Sequence, residues 1–151
     1  MTTEAERREH IVSLSHEANN VNWLMANFVE RTPGVDQAVA VSSDGLLLAM
    51  STTVDRAIAD RMAAIITGMR ALSHGAASEL HRGPVVQVLI EMGDAYLFVS
   101  SISGGSTLGV VAGKNCDLGL VGYEIAMLVN RVGAQLTPGL VIELKNSLVG
   151  V

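Results

Sequence analysis

The chain holds one cysteine, Cys116, and only five aromatic residues and three prolines among its 151 residues. A lone cysteine cannot close an internal disulfide, which fits a reducing compartment. With aromatics at 3%, few rings are present on which bases could stack. Basic clusters are missing too: the longest is Arg7-Arg8, and the formal charge is -5. Phosphate binding needs a basic patch, so these counts argue against nucleic acid as a partner. No apolar run reaches the roughly eighteen residues of a membrane span. The nearest stretch, 118–136, is broken by Glu124, Asn130 and Arg131. The opening MTTEAERREH mixes both signs of charge with no apolar segment behind it, unlike a signal peptide. A cytoplasmic location is the expectation.

What the chain has is hydrophobicity: 49% of its residues, with a mean hydropathy of +0.39. A chain of one-domain length this rich in apolar residues is expected to cover part of its surface with another chain.

Residues 1–17 read as an N-terminal arm, with Thr3 and Glu6 at capping-box spacing. From Ala18 to Arg31, Val21, Leu24, Met25 and Phe28 recur at helical spacing, and Pro33-Gly34 stops the helix. Trp23 lies off that stripe. Val35 to Ser42 alternates as a strand, Ser43-Asp44-Gly45 supplies turn chemistry, and Leu46 to Met50 returns as a second strand. Asp44 therefore reads as a hairpin corner.

Thr53 or Asp55 is placed to cap a long helix ending near His81. On it Ile58, Met62, Ile65, Met69, Leu72 and Ala76 are spaced to face a core. Beside them runs a stripe of small residues, Ala64, Gly68, Ala71 and Gly75. Glycine in a helix interior costs about 1 kcal/mol relative to alanine, so that stripe suggests close approach of another backbone. Val85–Met92, Tyr96–Ile102 and Thr107–Ala112 read as three strands joined by short antiparallel connections. The first is expected to pair on one side only. Asp117 caps a last helix with Leu118, Val121, Ile125, Leu128, Val132 and Leu136 on one face. Pro138-Gly139 closes it, and residues 138–151 are left as a C-terminal tail. The order describes an α+β domain over 18–137, a five-stranded antiparallel sheet with helices on its faces.

Catalytic and binding motifs fail on inspection. GVVAGKN at 109–115 has Leu108 and Asn115 where a phosphate loop requires Gly and Ser or Thr, so Lys114 reads as a solvated charge. His74, His81 and Cys116 lack the tight spacing of a zinc site. Cys116 has no evident base, and Ser42, Ser43, Ser100 and Ser101 lack the elbow of a hydrolase serine. Glu91 and Asp94 flank a hairpin as exposed acids. No catalytic residue, metal ligand or cofactor is expected.

The stretches PGVDQAVAVSSDGLLLAMS (33–51), VVQVLIEMGDAYLFVSSI (85–102) and LGLVGYEIAMLVNRVG (118–133) resemble the Roadblock/dynein light chain family, most closely its actinobacterial branch. The resemblance implies a profilin-like three-layer fold, with one long helix on one sheet face and two helices on the other. It implies a homodimer in which third strands meet edge to edge and long helices pair. The contacts would then come from Ala64, Gly68, Ala71, Gly75, Val86, Gln87, Val88 and Leu89. It further implies a non-catalytic regulator or scaffold of a Ras-like small GTPase, encoded beside that GTPase and a histidine-kinase-like protein. The polar positions Arg56, Asp60, Thr67, Arg70 and His74 are the candidate partner contacts. A structural adaptor for a sensor-kinase or membrane-associated complex, without effect on GTP turnover, is the alternative.

Overall fold

The computed structural model describes residues 14–51 and 54–148. Helix α1 (His16–Arg31) is capped by Ser15, whose hydroxyl accepts from the Ala18 N–H. It leads into β1 (Val35–Val41) and β2 (Leu47–Met50), then the long helix α2 (Arg56–Leu80). Strands β3 (Gln87–Glu91), β4 (Ala95–Ser101) and β5 (Thr107–Gly113) follow, with a single 3-10 turn at Ser103–Gly105. Helices α3 (Leu118–Gln135) and α4 (Pro138–Leu148) complete the chain, meeting at a bend of 102°.

The five strands form one antiparallel sheet in the order β2-β1-β5-β4-β3. Alternation sorts their side chains between two cores. Ala38, Ala40, Phe98, Leu108, Val110 and Ala112 pack under α1, α3 and α4. Val39, Val41, Leu47, Leu97 and Val99 pack under α2. A register shift between Val35 and Gln37 moves Val35 to the first core. The expected layers are present, with a third helix, α4, added to the α1 side.

Helix α3 does stop just before Pro138-Gly139, but α4 corrects the reading of the residues that follow as a tail. Proline lacks the N–H that a first helical turn leaves unused, so it suits the start of a helix. Pro138 is the first residue of α4, and the preceding Thr137 hydroxyl accepts from the Leu140 N–H at 3.1 Å. Leu140 and Leu144 are buried with α1, while Leu148 packs against the α2-side core. Helix α4 thus passes the β2 edge of the sheet and screens it.

The stripe expected to face the core from α2 also needs correction. The helix buries Ala59, Ala63 and Ile66, with Met62 and Met69 partly covered. Ile58, Ile65 and Leu72 are exposed. Ile66 lies over Gly109 of the central strand, where a Cβ would collide with it, so the helix sits low on the sheet and has room for little more than alanine. Leu118 is likewise exposed instead of core. Asp55 occupies the N-cap of α2 without a side-chain cap bond. At the other end His81 takes the left-handed conformation, φ 51°, and closes the helix before Gly83-Pro84. Thr53 and the Thr3/Glu6 pair lie outside the described residues.

Candidate interaction surface

Three distinct faces of α2 remain after its core stripe is buried. At 100° per residue, Ile58, Ile65 and Leu72 follow one flank, the small residues Ala64, Gly68, Ala71 and Gly75 form the crest, and Arg56, Thr67 and His74 line the other flank. The Thr67 side chain approaches Gly45 in the β1–β2 turn, with Gly45 3.6 Å from its hydroxyl if given a Cβ. The polar flank therefore points to the β2 side and the apolar flank to the β3 side. All four crest residues are exposed, and a Cβ added at Gly68 or Gly75 would meet nothing within 4 Å.

Strand β3 pairs only with β4, from Gln87↔Ser100 to Glu91↔Tyr96, and nothing among the described residues pairs with its outer side. Val88 and Ile90 turn partly inward against the α2-side core, while Leu89 is exposed. Val86, just before the strand, is 80% exposed, and Leu72 on α2 is 79% exposed. An open edge of this kind is a template for another strand unless it is covered or charged. Here apolar side chains flank it on both sides.

Behind the edge, on the α3 face, lies a groove of about 280 Å³. Its walls are Val86, Gln87, Ser100 and Ser101 from the sheet and Gly122, Ala126 and Asn130 among the α3 contributors. The Gln87 amide donates to the Ser100 hydroxyl across it at 3.2 Å.

Two ion pairs brace the sheet near its ends. Lys114 donates to Glu91 at 2.7 Å while its ammonium sits 4.4 Å from the centre of the Tyr96 ring. The lysine beyond β5 thereby reaches across β4 to β3, so it is not the free solvated charge expected. The hydrogen bond with its partner, then charge, holds Glu91 below and Lys114 above their ordinary values. At the β1–β2 turn, Asp44 accepts from the Ser42 hydroxyl and from Lys145 of α4, the latter at 3.0 Å. Those two bonds, Ser42 first, hold its carboxyl below 3.8. Asp44 is a corner that also anchors α4. No cluster of metal-ligating side chains occurs among the described residues, and Cys116 sits against Gly34.

The Roadblock/LC7 domain profile matches residues 21–112. A Roadblock/LC7 domain from Streptomyces avermitilis is 39% identical, with a TM-score of 0.70 over 74% of this chain and 92% of that one. The chain belongs to the Roadblock/LC7 family. MglB from Myxococcus xanthus shares the fold at 16% identity, with a TM-score of 0.71 over 76% of this chain and 93% of that one. Acanthamoeba castellanii profilin IB does so at 16% identity and a TM-score of 0.52, over 76% and 97% of the two chains. No curated protein matches the chain.

The sequence had singled out the crest and β3 of this Roadblock domain, and both are accessible. It had missed Ile58, Ile65 and Leu72 as surface residues. Their seven-residue spacing could not mark them as surface, because the buried stripe through Ala59, Ala63 and Ile66 follows the same helical period. The groove walls Gly122, Ala126 and Asn130 carried no signal either. No single described helix is long and apolar enough to cross a membrane.

Proposed function

We propose that this Roadblock domain is a non-catalytic homodimeric regulator of a Ras-like small GTPase. The observation that carries the reading is the open β3 edge, bordered by Val86 and Leu89 and by the apolar flank of α2. In the dimer β3 continues into β3 of the second copy. Ile58, Ile65 and Leu72 close over the seam, and the small crest lets the long helices approach. Gln87 and Val88 supply backbone pairing at the edge. The GTPase meets the polar flank of α2, at Arg56, Asp60, Thr67, Arg70 and His74.

Family membership supports this reading, since the resemblance that led to it implies GTPase regulation without catalytic residues. Two separate flanks on one helix also suit a protein that must engage a second copy and another partner together. The test is a pull-down of Ras-like GTPases from the same organism, loaded with GDP or a GTP analogue, followed by hydrolysis and exchange assays. Binding with altered turnover is expected. Binding with unchanged hydrolysis and exchange would instead make the domain an adaptor, the role a histidine-kinase-like partner would use. Binding in neither nucleotide state would overturn the reading.

A further inference from the structure

Among the described residues, four buried side-chain nitrogen or oxygen atoms lack a hydrogen-bond partner: Arg56 Nη1, Arg70 Nε, His74 Nε2 and Gln135 Oε1. Three of the four stand on α2, Arg56 and His74 on its polar flank and Arg70 about 40° from them toward the sheet. Eighteen residues make five full turns of about 3.6, so Arg56 and His74 share one angular position, and Arg70 lies a turn before His74. Buried polar atoms are nearly always paired, so the two guanidinium nitrogens ask for acceptors that the chain itself does not supply, and the imidazole nitrogen for a partner of its own.

The acids nearby are already committed or distant. Asp60 spends both carboxylate oxygens on Arg56 Nε, at 3.2 and 3.1 Å, and leaves Arg56 Nη1 bare. Thr67 turns its hydroxyl back to the Ala63 carbonyl at 2.8 Å. Elsewhere the cations Lys114 and Lys145 have carboxylate partners, Glu91 and Asp44. On this flank Arg56 and Arg70 face the single acid Asp60, a local positive excess in a chain of net charge -5. All three residues keep part of their surface in solvent, so side-chain rotation can present these atoms outward.

We infer that the Arg56–Arg70–His74 flank of α2 is a docking surface for carboxylate side chains on a protein partner. A guanidinium offers a planar fork that carboxylates fit in pairs, and the His74 ring lies one turn beyond Arg70. The flank lies across the helix from Ile58, Ile65 and Leu72, so an acidic partner and a second copy do not compete for it. The inference rests on the reading that α2 meets the partner, and it specifies that partner as acidic at the contact.

The test uses the full chain, labelled with nitrogen-15, with the arginine Nε–H and histidine ring resonances followed by NMR. It is titrated with a synthetic peptide of repeating Glu-Ala-Ala-Glu, with the same peptide carrying Gln for Glu, and with inorganic phosphate at matched ionic strength. The Glu peptide is expected to shift the Arg70 and His74 resonances and to bind about tenfold more tightly than the Gln peptide, as charge-assisted bonds require. A protein carrying Arg70→Gln with His74→Gln should lose that preference while sedimenting as the unaltered protein does. Arg70→Lys, which keeps the charge without the fork, should fall between. Equal binding of both peptides, equal shifts with phosphate, or a response confined to other arginines would overturn the inference. A GTPase that fails to bind while the Glu-peptide response persists removes the proposed function and leaves this surface standing. The converse removes only the acidic chemistry.

Discussion

Ile66 of α2 rests directly on Gly109 of β5, in the space a side chain at that strand position would fill. The contact sets how closely the long helix lies on the sheet, and so which of its residues are left outside. Gly109→Ala should force Ile66 and Val39 apart and cost about 1–3 kcal/mol, the usual range for overpacking. Urea unfolding followed by circular dichroism checks this. A change in dimerisation should accompany the loss, because α2 would ride higher.

Gly68 gives the opposite result. It lies within a helix with open space where a Cβ would point. Gly68→Ala should raise stability by up to about 1 kcal/mol, through the backbone entropy that glycine loses on folding. A bulky residue there should leave folding intact and weaken self-association, read by sedimentation at several concentrations.

Asp44 ties the acid limb of stability to α4. Its folded carboxyl is held below 3.8 by Ser42 and then by Lys145. A depressed carboxylate contributes stability that is complete above its unfolded value and is lost as pH falls through the lower folded one. Asp44→Asn should therefore lower the urea midpoint near neutral pH and converge with the unaltered protein only as pH falls through the lowered value of the folded carboxyl, where both forms become uncharged at this position. Because Asp44 is half exposed, the effect belongs to the small range of surface ion pairs and should shrink with added salt.

Lys114 acts on the edge strand. Its bond to Glu91 requires an ionised carboxylate and an ammonium together, so it persists above the usual carboxylate range, 4.5 for Glu91, and below 10.5 for the lysine. Lys114→Gln should speed hydrogen exchange of the β3 amides near Glu91 while leaving β1 and β5 protected. Uniform loosening of the whole sheet would mean the clasp has no special hold on the edge.

The sheet was legible because its signals are local. Ser-Asp-Gly and Gly-Asp turns sit between alternating runs, and Val85 to Met92 had one evident neighbour. Three features were hidden for physical reasons. An exposed apolar stripe has the same periodicity as a core stripe, so the spacing of Ile58, Ile65 and Leu72 alone does not separate them from the buried Ala59, Ala63 and Ile66. Pro138 both follows the end of α3 and begins α4, and the second role shows only in the Thr137 cap. Arg56, Arg70 and His74 could be picked as polar positions on a helix, but the lack of partners at their nitrogens is visible only once every neighbour is in place.

The central claim is that a second copy seals the β3 edge and the apolar flank of α2. Sedimentation equilibrium of the unaltered chain beside Leu72→Glu combined with Leu89→Glu tests it most directly. The account predicts a dimer for the first, and for the second a folded monomer with an unchanged circular dichroism spectrum. A monomeric unaltered chain at tens of micromolar or so, a concentration at which standard-sized specific interfaces are formed, would contradict it, as would a dimer indifferent to both substitutions.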